Sequence, residues 1–124
     1  MKSLTIVRHA KSSWKDHGLA DRERPLNKRG ERDAPIMARR VAEAGIRPSQ
    51  IISSPAVRAW TTAKIFARVL GYPAEFLQRE DGLYLASLDN LLDVVATQDA
   101  TFNHLMPVSY THLTLPTTGH GCRW

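Results

Sequence analysis

A parallel α/β fold is what this sequence predicts, on three observations. An apolar run rich in β-branched residues, "LTIV", lies at the start of the chain and ends abruptly in Arg8 and His9. A second apolar pair, Ile51 and Ile52, runs directly into "SSPAVRAW", the punctuation of a strand-to-helix turn. Between and beyond these runs, apolar residues recur at spacings of three and four, so strand, helix, strand, helix follow one another within roughly the first seventy residues.

Taken in order, residues 3–7 read as a strand, and their β-branched content suits a central one. Residues 8–26 are polar and charged, punctuated by Gly18 and Pro25, which predicts a long functional loop over the end of that strand. Asn27 can cap a first helix whose buried stripe is Ala34, Met37, Ala38, Val41 and Ala44, with Gly45 as its stop. Pro35 leaves two alternatives: a kink at that point, or a fresh start with Asp33 as cap. After the strand at Ile51 and Ile52, Ser54 is expected to cap a second helix with Pro55 at its first position and Ala59, Ala63, Phe66 and Leu70 along its inner stripe. Residues 74–77 suit a third short strand, and Ser87 caps a third helix with Leu88, Leu91, Leu92 and Val95 inside. A further strand is expected over residues 102–106, after which "PVSYTHLTLPTTGHGCRW" shows neither periodicity nor an apolar face.

The chain has 124 residues, the size of one domain, and its 43% hydrophobic and 23% charged residues describe an ordinary globular composition. Its apolar runs are too short to cross a bilayer, and no export signal is evident at the start, so no membrane partner and a cytoplasmic setting are expected. The lone Cys122 agrees, since it has no internal disulfide partner. The net charge of +5 is spread from Arg8 to Arg68, with no aromatic residues interleaved as a single-strand stacking platform requires. Affinity for small anionic groups is therefore expected, not nucleic-acid binding, and a monomer is the expected state.

In open parallel sheets, ligand sites gather beyond the carboxyl ends of the strands. Arg8 and His9 lie at one such end, and Arg58 falls in the first turn after the second strand. If these two strands are neighbours, both guanidiniums reach one crevice and offer forked donors to a phosphate. A neutral imidazole nitrogen of His9 can attack phosphorus to form a covalent intermediate that water hydrolyses, while the arginines offset the charge of the equatorial oxygens. Each residue alone is ordinary; their convergence carries the reading. Lys11, Ser12 and Arg22 are candidates for further phosphate or substrate contacts, or else a solvated loop face. Trp14 either covers the site or packs the loop onto the sheet.

Four ordered motifs, "LTIVRHAKSSW", "DRERPLNKRGERDA", "IISSPAVRAWTTA" and "LYLAS", resemble the histidine phosphatase superfamily and, within it, the small SixA-like phosphohistidine phosphatase branch. The resemblance covers about residues 2–106. It implies a three-layer α/β sandwich with a mostly parallel central sheet, the phosphoglycerate mutase-like fold. It also implies a phosphatase that needs no metal and no cofactor, with His9 as nucleophile and Arg8 and Arg58 as phosphoryl ligands. The implied partner is a phosphorylated protein or a small phosphate ester. The acidic pair Glu80 and Asp81, just ahead of "LYLAS", is the place to look for the general acid.

The family pattern breaks after "TFNHLM": the second catalytic histidine, usually set in Gly-His-Asn-Pro, has no match, and "PVSYTHLTLPT" stands in its place. The domain reading is accordingly an incomplete histidine phosphatase domain over residues 1–107, lacking the C-terminal part of the fold, and an atypical, non-native or disordered tail over 108–124. His112 and His120 are not expected to fill the vacant role, His120 with Cys122 does not make a metal site, His104 reads as structural and His17 as solvated. Two function classes follow: an active phosphatase, and a catalytically impaired fragment that still binds phosphate. A nucleic-acid binder has only the net charge behind it. Loss of part of the sheet predicts weak folding or aggregation from an exposed edge.

Overall fold

The computed structural model describes residues 3–8, 20–98, 101–109 and 120–122. Its strands are β1 (Ser3–Arg8), β2 (Gln50–Ser53), β3 (Gln78–Arg79), β4 (His104–Ser109) and the short β5 (His120–Cys122), all parallel and joined in the order β3-β2-β4-β1-β5. The helices are α1 (Lys28–Glu43), α2 (Val57–Leu70) and α3 (Leu88–Ala96).

That strand order explains the layers. The crossovers through α1 and α2 both step across the sheet in one direction, and the crossover through α3 steps back. Right-handed crossovers therefore put α1 and α2 on one face and α3 on the other. Ala38 and Val41 of α1 and Ala59, Ala63, Phe66 and Ala67 of α2 share one buried cluster with Val7, Ile51, Met106 and Val108. On the opposite face, Leu91 of α3 packs with Ile52 and Leu83, and Ile6, Val94 and Val95 close around them. The alternation of Ile6 with Val7, and of Ile51 with Ile52, sends consecutive side chains to opposite layers. The result is the three-layer, phosphoglycerate mutase-like α/β architecture that the resemblance implied.

Helix boundaries follow local chemistry. Asn27 caps α1 by accepting from the Gly30 amide at 2.7 Å, and Ser87 caps α3 by accepting from the Asn90 amide at 3.2 Å. Gly45 and Gly71 leave α1 and α2 at φ +80° and +73°, a conformation that a side chain disfavours. Pro35 neither kinks α1 into two elements nor restarts it at Asp33: one helix runs from Lys28 to Glu43, because the buried stripe of Ala34, Ala38 and Val41 continues through the missing bond at the proline.

Several expectations are corrected. The strands β1 and β2 are not neighbours, because β4 pairs with both and lies between them. Residues 74–77 do not form a strand: Ala74–Phe76 is a 3-10 turn, and β3 is the two residues that follow. Ser54 does not cap α2 and Pro55 is not its first residue. The helix starts at Val57, and the Ser54 hydroxyl instead accepts from the Ala56 amide within the preceding turn. Leu92, expected inside, is 44% exposed, because α3 meets the sheet along Leu91, Val94 and Val95. β4 starts two residues later than expected and runs through Pro107 to Ser109, past the boundary drawn at 107. The His120–Cys122 backbone then pairs with residues 5–7 of β1. Most of the tail, His17 and His112 lie outside the described residues. His104 is structural: its Nε2 lies 2.7 Å from the Thr5 hydroxyl on the adjacent strand.

Candidate active site

Because every strand is parallel, all their carboxyl ends open on one edge of the sheet, and that edge is polar. Arg8 closes β1 in register with Ser109, which closes β4. The Ser109 hydroxyl is buried and donates to the Leu83 carbonyl at 2.6 Å, and the Glu80 amide donates to the Ser53 carbonyl at 2.8 Å. These bonds hold the loop after β3 against the ends of β2 and β4.

Arg58, the second residue of α2, is the best-defined charged group on this edge. Only 3% of it is exposed, and its Nη1 and Nη2 donate to the Asp21 carbonyl and to Asp21 Oδ2, the latter at 2.9 Å. Asp21 opens a 3-10 turn, Asp21–Glu23, that lies over the start of α2. Its carboxylate is engaged three ways: Oδ2 also accepts from the Tyr84 hydroxyl at 2.6 Å, and Oδ1 accepts from Arg24 Nη2 at 2.9 Å. The Arg22 guanidinium stands 4.7 Å from the centroid of the Tyr84 ring, a cation–π contact. Three remote stretches, around residues 21–24, 58 and 84, thus meet at one carboxylate. The Tyr84 hydrogen bond, aided by Arg58 and Arg24 and opposed by burial, lowers the Asp21 carboxyl to about 2. The same bond raises the Tyr84 phenol above its ordinary value.

The predicted site residues divide accordingly. Arg58 and Arg22 are brought together around Asp21 and Tyr84. Arg8 shares the carboxyl edge with Arg58 but leaves it from a strand two places away, roughly 10 Å across the sheet, so the premise of adjacent strands fails while the common edge remains. Glu80 and Asp81 sit where β3 ends, at one margin of the sheet and three strands from β1. Glu80 Oε1 accepts from Gln78 Nε2 at 3.3 Å, and Asp81 is exposed. His9, Lys11, Ser12 and Trp14 lie outside the described residues. Asp21, Arg24 and Tyr84 stand within the family-like motifs but have no role among the expectations drawn from them. The available signal was an acidic residue set among Arg22 and Arg24, which is the pattern of a counter-ion. Among the described residues no group of three His, Cys, Asp or Glu is placed to hold a metal ion, and no helix is long and apolar enough to cross a membrane.

Comparison with known proteins agrees with the fold. Residues 4–84 match the histidine phosphatase superfamily, branch 1, and the chain belongs to that superfamily. A chloroplastic, uncharacterised protein of Arabidopsis thaliana is 35% identical over 108 residues, which is 79% of this chain and 50% of that protein. The chain therefore spans half the length of that curated relative. Among solved structures, the Agrobacterium tumefaciens protein assigned as the phosphohistidine phosphatase SixA superposes with a TM-score of 0.76 at 30% identity, covering 86% of this chain and 67% of that one. The protein histidine phosphatase SixA solved with tungstate superposes with a TM-score of 0.74 at 19% identity, covering 86% and 68%, a likeness of fold.

Proposed function

We propose that this chain is a metal-independent phosphatase that hydrolyses a phosphohistidine or a phosphate monoester through a covalent phosphohistidine on His9. The carrying observation is the buried Arg58 guanidinium on the carboxyl edge of a parallel sheet where Arg8 also emerges, in a chain of the histidine phosphatase superfamily. In the first step a lone pair of the His9 imidazole forms a bond to phosphorus, and the bond from phosphorus to the leaving oxygen or nitrogen breaks. The leaving group takes a proton from an acid, for which Glu80 and Asp81 are the candidates. In the second step water attacks phosphorus and gives a proton to the carboxylate left by the first step, the phosphorus–nitrogen bond breaks, and inorganic phosphate departs as His9 regains its lone pair. Arg8 and Arg58 hold the equatorial oxygens in both steps, and Lys11, Ser12 and Arg22 extend the anion site.

A second reading, a phosphate-binding but catalytically impaired form, is favoured by the sequence after β4, where "YTHLTLPT" offers no match to Gly-His-Asn-Pro. Turnover of an aryl phosphate in the presence of a chelator separates the two. The first reading expects turnover and acid-labile phosphoenzyme that both vanish in His9→Ala. Tight phosphate binding without turnover in the folded protein supports the second.

A further inference from the structure

We propose that Asp21 is the positioning residue for Arg58: it takes the guanidinium with its carbonyl and its carboxylate together and so sets the plane in which this arginine meets a phosphoryl group. The inference rests on the reading of Arg58 as a phosphoryl ligand.

Three observations carry it. Arg58 is almost wholly buried, and a guanidinium out of water needs a charged, hydrogen-bonded partner. Asp21 supplies two acceptors from one residue, one on each terminal nitrogen, which fixes the fork in rotation as well as in place. Asp21 is itself held from two further directions, by Arg24 at Oδ1 and by Tyr84 at Oδ2, while 43% of its side chain stays exposed. A residue anchored at the surface that grips a buried cation with its carbonyl and one carboxylate oxygen is an orienting device more than a filler of the core. Its negative charge also repels an incoming anion, but that repulsion is screened on the solvent side. Forked recognition of a phosphate, by contrast, depends directly on the guanidinium plane.

The test is tungstate binding by titration calorimetry on the full chain, comparing the wild type with Asp21→Asn, Asp21→Glu, Arg58→Ala and the Asp21→Asn/Arg58→Ala pair. Arg58→Ala is expected to weaken tungstate binding about a hundredfold, and Asp21→Asn about tenfold. Asp21→Glu should recover most of the loss, and the double variant should bind no more weakly than Arg58→Ala alone, because Asp21 acts only through Arg58. A merely structural role would carry its loss into the Arg58→Ala background. If thermal unfolding shows that Asp21→Asn does not fold, Tyr84→Phe removes one anchor of the carboxylate. It should weaken binding about threefold in the wild type and not at all in Arg58→Ala. Wild-type or tighter binding by Asp21→Asn, or a loss that persists without Arg58, overturns the proposal and leaves the phosphoryl-ligand reading intact. Undiminished binding by Arg58→Ala overturns that reading, and the proposal with it.

Discussion

The two faces of the sheet are built to different depths. Among the described residues, the face under α1 and α2 buries a continuous cluster around Phe66, from Val7 and Met106 to Ala38 and Val41, whereas the face under α3 buries Ile52, Leu83 and Leu91. The candidate site rests chiefly on the first. Arg58 rides on α2 and the Tyr84 ring packs against the same deep cluster, while Leu83, the residue before Tyr84, is buried on the shallow face; Asp21 bonds to both Arg58 and Tyr84. The cation of the site and the ring beside its counter-ion are thus both held by the most heavily packed part of the molecule. Damage to the deep face should remove fold and site together, while damage to the shallow face should reach the site only through Leu83.

Breaking this contrast outright calls for cavities of similar kind on each side. Phe66→Ala should cost about 3–5 kcal/mol and abolish a cooperative urea transition. Leu91→Ala should cost about 2–3 kcal/mol, keep a cooperative transition at a lower midpoint, and weaken tungstate binding only slightly, through Leu83 and the chain that joins it to Tyr84. Equal losses of stability would erase the distinction between the faces.

The hold of Asp21 on the deep face can be read by pH. Asp21 titrates at about 2 in the fold, against an ordinary value of 3.8. A depressed carboxylate contributes stability that is fully present above pH 3.8 and is lost as pH falls towards 2. Because the Asp21 side chain is 43% exposed, solvent screening reduces this contribution to about 1 kcal/mol. Asp21→Asn should therefore melt below the wild type at pH 6, and the gap in melting temperature should close between pH 4 and pH 2. A gap independent of pH would mean that the carboxylate's charge does not hold Arg58, Tyr84 and Arg24 together.

The smallest effects sharpen the comparison at the helix starts. Asn27→Ala, on the deep face, should cost about 1 kcal/mol, and Ser87→Ala about 0.5 kcal/mol, since the second cap bond is longer and its helix is shorter. Urea midpoints of the two variants check the ordering.

Much of the fold was legible because its signals are local. Asn27, Gly45 and Ser87 act within one turn of chain, and the stripes of α1 and α2 need only the helical period. The end of β4 was not legible: Pro107 stops a strand pattern in sequence, since a proline gives no amide to a central ladder. In the structure the strand continues, because Met106 and Val108 are buried beneath α1 and α2 and neighbouring strands pair on both sides. Residues 74–77 misled in the opposite way. They are apolar enough for a strand, but Phe76 is 61% exposed, and the pairing with β2 falls to Gln78 and Arg79.

By itself the sequence determined the family, the parallel α/β class, the capped helices and Arg58 as a charged group at a helix start, because each is written in contiguous residues or in an ordered set of motifs. Only the tertiary structure decided that β4 separates β1 from β2, and that Arg58 meets Asp21 and Tyr84, which stand 37 and 26 residues away along the chain. Pairings over such distances depend on which strand fills the centre of the sheet. That is set by the burial of several elements at once, and no local period or cap records it.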